Sequence, residues 1–228
     1  MSVAGRRAVV TGAGGALGAA VVAALHEAGA QVGALYRTTR GELPTGVPAV
    51  GADLTDEQAV GAACEQMRRS LGGHIEILVH CAGGFRSADL SETSLETWRG
   101  QIDGNLTAAF LALRAVLPDM LAAGWGRIVT VGSRASLSGS AGVAAYSASK
   151  GGLLRLTEAV AAEGLERAVT ANSVLPGTID TAANRRSMPE GDAAAWVAPA
   201  AIAQVCLFLC SEAAGCISGA ALPVYGRS

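Results

Sequence analysis

The sequence predicts an α/β protein built on one doubly wound parallel sheet with helices on both faces. Short apolar runs alternate with longer segments of helical periodicity along the 228 residues. Half of the residues are hydrophobic and 16% are charged, which suits a sheet that is buried on both faces. A glycine-rich stretch at residues 11–18 separates the first apolar run from the first helical segment. These observations predict right-handed βαβ units in one domain over residues 1–228.

Each predicted strand is a short apolar run, and each predicted helix carries apolar residues at helical spacing. Strands are expected at residues 8–10, 31–36, 47–52, 75–80, 127–131, 170–174 and 221–225. Helices are expected at residues 19–28, 56–71, 95–122, 144–163 and 199–211. Gly29 would end the first helix, Thr55 is a candidate N-cap of the second, and Ser94 would open the third. Residues 182–198 break the pattern, and so long a connection predicts a lid over a functional site.

Composition excludes several classes of protein. The formal net charge is −2 without a basic run, so nothing points to nucleic acid. We expect no membrane contact, because we find no apolar stretch of the roughly 18 residues that are needed to span a bilayer. The five cysteines are odd in number and lack metal-ligand spacing with His26, His74 and His80, so no metal site is expected. Core thiols of this kind suit a reducing cytoplasm.

The glycine-rich stretch follows a strand and opens a helix, which is the context of a dinucleotide-binding, Rossmann-like turn. Gly12 permits the tight turn, and Gly18 permits close packing of the helix. Backbone N–H groups at the start of the helix can then hold a pyrophosphate. The cofactor contacts expected from this turn are Gly12, Gly14, Gly15, Ala16, Leu17 and Gly18.

The end of the second strand predicts which dinucleotide binds. An acidic residue there would hydrogen-bond the ribose hydroxyls of NAD, but this chain has Tyr36 and Arg37. Arg37 can pair with a 2′-phosphate through two hydrogen bonds, and Arg40 can help. The alternative is that Arg37 is a solvated residue at the end of a strand. We predict NADP(H) as the cofactor in preference to NAD(H).

Tyr146 and Lys150 lie four residues apart in a predicted helix and therefore share one of its faces. A nearby ammonium can lower the pKa of a phenol, which then acts as an acid or base near neutral pH. Ser133 directly follows the fifth predicted strand, and Asn105 lies in the third predicted helix. With the glycine-rich turn, these residues resemble the short-chain dehydrogenase/reductase family over essentially the whole chain.

The resemblance implies a role for each of these four residues. Ser133 would hydrogen-bond the substrate oxygen and polarise a carbonyl. Tyr146 would deliver the proton in reduction or take it in oxidation. Lys150 would hold the ribose hydroxyls of the nicotinamide half and lower the pKa of Tyr146. Asn105 would support a water beside the lysine. Tyr146 and Lys150 therefore also count as cofactor contacts.

The resemblance implies further cofactor contacts outside the glycine-rich turn. Those near the adenosine are Asp53, Leu54, Cys81, Ala82 and Gly83, and those near the nicotinamide amide are Pro176, Gly177, Ile179 and Thr181. His80 and Cys81 replace two asparagines of the family, and Ala16 replaces a glycine. We expect His80 to be structural, because it ends a buried strand.

The segment near the expected lid resembles a narrower branch, the dihydropteridine reductases. Residues 184–185 and 187–190 echo that branch, as do residues 82–84. Two features depart from it: Tyr36 stands where the branch has an acid, and Ser133 is present where the branch generally lacks the serine. The retained serine favours a carbonyl substrate over a quinonoid pterin.

We therefore predict NADPH-dependent reduction of a small, largely apolar ketone or 3-oxoacyl-type substrate. The alternatives are pteridine-type reduction of a C=N bond, an NAD-dependent alcohol dehydrogenase, and a dinucleotide-binding regulator without turnover. Phe85 could line the pocket or merely pack, and Trp196 is expected to pack. The resemblance also implies a homotetramer or homodimer through helices around residues 106–121 and 151–163.

Overall fold

The computed structural model describes residues 2–227, and these form one seven-stranded parallel sheet. The strands are β1 (Arg7–Thr11), β2 (Gln31–Tyr36), β3 (Ala49–Gly51), β4 (Ile77–His80), β5 (Gly126–Val131), β6 (Val169–Pro176) and β7 (Ala221–Val224). Their order in the sheet is β3-β2-β1-β4-β5-β6-β7. The chain thus moves outward from β1 on one side and resumes beside β1 on the other. The predicted fold class is confirmed.

Helices cover both faces of the sheet. They are α1 (Ala16–Glu27), α2 (Glu57–Leu71), α3 (Leu95–Ile102), α4 (Ala108–Ala123), α5 (Ala144–Gly164), α6 (Ala182–Ser187) and α7 (Pro199–Cys210). On one face, α1 and α7 pack together through buried side chains such as Val21 and Ile202. On the other face, α2, α4 and α5 contribute Met67, Val116 and Leu153 to a second buried cluster. A sheet covered in this way explains the apolar strands that the sequence contains.

The single helix predicted over residues 95–122 is divided in the structure. One turn of π-helix, Asp103–Thr107, separates α3 from α4. Such turns insert one residue into a helix and occur often at functional sites. The predicted start is confirmed, since Ser94 caps α3 and its hydroxyl accepts a hydrogen bond from the Thr97 N–H at 3.1 Å.

The N-cap proposed for the second helix was wrong by one residue. Asp56 caps α2, because its carboxylate accepts a hydrogen bond from the Ala59 N–H at 2.9 Å. Thr55 instead donates both its N–H and its hydroxyl to the Asp53 carboxylate, at 2.9 and 2.7 Å. The Thr55 hydroxyl is therefore committed to the preceding loop.

The expectation that the chain lacks an apolar stretch of membrane-spanning length was also wrong. The helical span Leu95–Ala123 has a mean hydropathy of 1.6 over a window of that length. Several of its apolar residues belong to the core: Leu113, Val116 and Met120 are buried between α4 and the sheet. Length and composition alone therefore do not make this span a membrane segment.

The segment expected as an irregular lid contains a short helix, α6. Thr181 caps this helix by accepting the Asn184 N–H at 3.1 Å. Arg185 donates two hydrogen bonds to the Asp180 carboxylate, at 2.6 and 2.8 Å. These local contacts explain a helix of six residues that the apolar pattern did not reveal.

Candidate active site

The carboxyl ends of the parallel strands meet at one edge of the sheet, where a cleft of about 960 Å³ opens. The expected cofactor residues that line it are Gly12, Gly14, Gly15, Tyr36, Arg37, Asp53, Leu54, Cys81, Ala82 and Gly83. Ala16, Leu17 and Gly18 form the first turn of α1. Pro176 ends β6, and Gly177, Ile179 and Thr181 follow it at the same edge of the sheet; these four residues lie outside the lining of the cleft.

The glycine-rich turn is shaped by contacts that leave no room for side chains. Gly12 has a φ of +66°, and a Cβ there would lie 2.7 Å from the Ala82 nitrogen. A Cβ at Gly18 would overlap the Gly12 carbonyl oxygen, and one at Gly14 would overlap the Thr39 carbonyl oxygen. No side chain caps the N-terminus of α1, so its backbone N–H groups stay available. This bare backbone fits the pyrophosphate of a dinucleotide.

Asp53 and Arg37 provide opposite charges in the same cleft. The N–H and hydroxyl of Thr55 hold the pKa of Asp53 below its usual value, and the nearby Arg37 guanidinium adds a smaller effect in the same direction. Asp53 is therefore a carboxylate at neutral pH and can accept hydrogen bonds from an amino group. Arg37 offers a planar cation that suits a phosphate.

His80 links the first and fourth strands at their carboxyl ends. Its Nδ1 lies 3.0 Å from the Thr11 hydroxyl, which also accepts the Ala82 N–H at 3.3 Å. Burial, together with the charge of Lys150, lowers the pKa of His80 to about 3, so the ring is neutral. This arrangement agrees with the structural role expected for His80. It also fixes the approach of Ala82 to the glycine-rich turn.

Cys81 occupies the other position where the family has asparagine. Its side chain packs against the apolar cluster beneath α1 and α7, and burial raises the pKa of its thiol. Cys81 therefore braces the sheet through packing. Among residues 2–227, no three or more His, Cys, Asp and Glu side chains gather as a metal site would require.

Lys150 is buried at the same edge, with only 5% of its surface exposed. Its Nζ donates a hydrogen bond to the Val131 carbonyl oxygen at 2.8 Å. Burial lowers the pKa of Lys150 to about 8, from an ordinary value of 10.5. A Cβ added to Gly83 would lie 3.3 Å from Nζ, so the loop after β4 passes directly beside the amine.

Asn105 lies in the π-helical turn and is fully buried. Its side chain makes two hydrogen bonds with Gly84, accepting the backbone N–H and donating to the carbonyl, both at 3.0 Å. A Cβ added to Gly83 would come within 2.5 Å of its Oδ1. Asn105 therefore fixes the loop after β4 beside Lys150.

Ser133 and Tyr146 come together beside the lysine. The Ser133 hydroxyl accepts the Ala135 N–H at 3.2 Å, and the Ser136 hydroxyl accepts the Ser133 N–H at 3.1 Å. This reciprocal capping holds Ser133 at the end of β5. The nearby Ser133 hydroxyl favours the charged form of the Tyr146 phenol and so works to lower its pKa.

The expected lowering of the Tyr146 pKa by Lys150 was wrong for the cofactor-free protein. The pKa of Tyr146 is raised, because burial outweighs the opposite effect of the Ser133 hydroxyl. Lys150 Nζ lies 6.0 Å from the centre of the tyrosine ring and is turned toward the Val131 carbonyl. Desolvation therefore sets the protonation state of the phenol, which stays protonated at neutral pH.

Phe85 is the site residue that the sequence left undecided. Its ring packs edge to face against Tyr146, with centroids 4.9 Å apart and an interplanar angle of 87°. Phe85 also lines the cleft. The sequence signal for placing Phe85 at the site was its position just after β4, where ligands bind in sheets of this type. Trp196, in contrast, lies against Gly191 of its own segment.

Comparisons with known proteins agree with this geometry. Residues 6–191 match the family model for short chain dehydrogenases. The 3-oxoacyl-[acyl-carrier-protein] reductase FabG of Pseudomonas aeruginosa is 34% identical, and the match covers 99% of this chain and 98% of that protein. An acetoacetyl-CoA reductase of Paracoccus denitrificans is 36% identical over 93% of each chain.

Among solved structures, a short-chain type dehydrogenase/reductase from Mycobacterium ulcerans superposes with a TM-score of 0.90. The superposition covers 100% of this chain and 90% of that one, at 24% identity, and supports the fold. The family model and the two reductases support the chemistry. The chain belongs to the short-chain dehydrogenase family and is an oxidoreductase of that family.

Proposed function

We propose that this protein is an NADPH-dependent reductase that converts a ketone or 3-oxoacyl-type carbonyl to an alcohol. The observation that carries the proposal is that the buried Lys150 places its Nζ 6.0 Å from the centre of the Tyr146 ring, with Ser133 held at the end of β5 near the phenol. The two relatives named as 3-oxoacyl and acetoacetyl reductases support the same type of substrate. The substrate carbonyl would lie between the hydroxyls of Ser133 and Tyr146.

The proposed roles follow from the chemistry of each side chain. Ser133 donates a hydrogen bond to the carbonyl oxygen, and Tyr146 gives that oxygen its proton. Burial raises the pKa of Tyr146, so the phenol carries its proton at neutral pH and the proton to be transferred is in place. Lys150 holds ribose hydroxyls, and Asn105 keeps the neighbouring loop in place. When bound, the reduced nicotinamide supplies the hydride.

The preference for NADPH rests on the end of β2. Arg37 lines the cleft beyond the glycine-rich turn, and no acid occupies the position that would bind the ribose of NAD. Arg37 would pair with the 2′-phosphate, while Asp53 would accept a hydrogen bond from the adenine amine. The loop with Pro176, Gly177, Ile179 and Thr181 would hold the nicotinamide amide.

Parallel fluorescence titrations with NADPH and NADH test the cofactor. We expect tighter binding of NADPH, and Arg37→Ala should remove the preference, whereas Arg167→Ala, on an exposed turn, should not. Tighter binding of NADH would favour the alternative of an NAD-dependent alcohol dehydrogenase. Binding of neither dinucleotide would contradict the cofactor assignment.

A second pair of variants tests the chemistry. Tyr146→Phe should lower turnover by about 10²–10⁴-fold while leaving NADPH binding intact, because only the proton donor is lost. Unchanged turnover would contradict the role of Tyr146, and binding without any turnover in the wild type would favour a regulatory protein. Reduction of a quinonoid pterin that survives Ser133→Ala would favour the pteridine-type alternative.

The proposed assembly is a homotetramer, or a homodimer, formed through α4 and α5. Phe110 of α4 is a large apolar residue with 43% of its surface exposed, which supports a contact there. Light scattering coupled to size-exclusion chromatography tests this, and Phe110→Glu should lower the mass if the helix is an interface. The proposed compartment is the cytoplasm, supported by five cysteines that are all free thiols within the described residues.

A further inference from the structure

The Phe85 ring combines contact with the proton donor and exposure to the cleft. Its edge-to-face contact with Tyr146 has a centroid separation of 4.9 Å. The side chain nevertheless remains 64% exposed and lines the cleft. A single exposed apolar residue is common on protein surfaces. Exposure directly beside Tyr146 leaves a flat apolar surface where a substrate would bind.

The loop that carries Phe85 is fixed on both sides of the ring. Gly84, the preceding residue, is held by the two hydrogen bonds with Asn105 at 3.0 Å. On the other side, the Ala88 N–H donates to the Gly142 carbonyl at 2.9 Å, and Ala88 forms a parallel bridge with Val143. Val143 directly precedes the helix that carries Tyr146. The position of Phe85 relative to Tyr146 is therefore built into the fold.

A substrate oxygen that meets Tyr146 and Ser133 brings its substituent near this ring. An alkyl substituent would gain apolar burial against Phe85. An aryl substituent would gain the same burial together with an offset or edge-to-face ring contact, worth roughly a 10-fold preference. An aryl group is also flat, so it can lie along the exposed ring while the carbonyl stays close to Tyr146.

We infer that Phe85 is a specificity-determining residue that selects ketones bearing an aryl group directly on the carbonyl carbon. The inference rests on the proposed ketone reduction. In that reaction the carbonyl carbon gains a hydride from NADPH, which becomes NADP⁺, and the oxygen gains the Tyr146 proton. Phe85 takes no part in these transfers, and its contribution is the binding of the aryl group.

The test compares two ketones that differ only beside the carbonyl: ethyl benzoylacetate, with phenyl, and ethyl acetoacetate, with methyl. The measured quantity is the ratio of their kcat/KM values with NADPH. We expect Phe85→Leu, which keeps an apolar side chain, to lower the aryl-to-methyl ratio roughly 10-fold. Phe85→Tyr should restore the ratio because it restores the ring. Leu165→Ala, which alters another exposed apolar residue, is the control and should leave the ratio unchanged.

Failure of this inference can be told apart from failure of the proposed function. If the wild type reduces both ketones and the aryl-to-methyl ratio in Phe85→Leu and Phe85→Ala equals that of the wild type, the inference is overturned while the proposed function stands. Equal loss of both activities in Phe85→Leu would also overturn it, because the ring would then act only by supporting Tyr146. A wild type that binds NADPH but reduces neither ketone would overturn the proposed function and, with it, this inference.

Discussion

Replacing the buried Lys150 with methionine should stabilise the cofactor-free protein near neutral pH while removing its activity. Burial lowers the pKa of this lysine from 10.5 to about 8. At about 1.36 kcal/mol for each pKa unit, keeping the amine charged costs the folded state about 3 kcal/mol. The substitution also removes the hydrogen bond to the Val131 carbonyl, which offsets about 1 kcal/mol. The expected net gain in unfolding free energy at neutral pH is about 2 kcal/mol.

The gain should depend on pH in a defined direction. In the unfolded chain Lys150 keeps its proton up to 10.5, but in the folded protein only up to about 8. Between these values the unfolded state binds more protons, so the stability of the wild type rises with pH in this window. Below pH 8 the full cost of the charge is present. The advantage of Lys150→Met should therefore be largest at neutral pH and disappear toward pH 10.5.

Urea unfolding followed by circular dichroism measures this difference on cofactor-free protein at several pH values from neutrality upward. Arg167→Met is the matched control, because it removes a cation from the exposed turn after α5 and should change little. Lower stability of Lys150→Met at neutral pH would refute the reasoning. An advantage that stayed constant with pH would also refute it, since a packing effect does not titrate.

Three further predictions concern the packing of glycines, the contact between His80 and Thr11, and the charge of Lys150. Gly18→Ala should lower the unfolding free energy by about 3 kcal/mol or more through overlap with a backbone carbonyl. Gly61→Ala, in open space on α2, should raise it by about 0.5–1 kcal/mol, and equal melting temperatures would contradict both expectations. His80→Leu should weaken NADPH binding about 10-fold because the Thr11 hydroxyl loses a buried partner, whereas His80→Asn should have a smaller effect; equal dissociation constants by titration would argue against the brace. NADPH affinity should fall as pH rises through about 8, where Lys150 loses its charge, and a flat profile matching that of Lys150→Met would contradict this.

Local patterns in the sequence were enough to predict most of the fold. The runs that form β1, β2 and β5 are apolar in sequence because both faces of each strand are covered, so the pattern and the structure share one cause. The π-helical turn at Asp103–Thr107 could not be predicted in the same way. Helical periodicity continues through it, and the turn places Asn105 against Gly84, a contact made far along the chain.

The candidate site, too, could be predicted from the sequence only in part. The order and spacing of Ser133, Tyr146 and Lys150 indicated that they would meet, because each follows or lies on an element that ends at the same edge of the sheet. The pKa of Tyr146 could not be predicted from that spacing. It depends on burial in the folded protein, where Tyr146 contacts residues distant in sequence such as Phe85. Helical proximity to a lysine is a local property, whereas burial is a tertiary one.

Burial shifts the pKa values of Tyr146 and Lys150 in opposite directions, and each shift favours the neutral form. The phenol is held neutral, as a proton donor requires, but the ammonium is held at a cost. No carboxylate among residues 2–227 contributes to the pKa of Lys150. A Cys81 thiolate would favour the charged form of Lys150, but burial raises the pKa of that thiol and keeps it protonated. His80 is neutral as well. The fold gives Nζ one polar partner, the Val131 carbonyl, and a ligand that brought hydroxyl oxygens to Nζ would add others. The cost of the buried charge and the proposed role of Lys150 in binding a ribose therefore have the same physical origin.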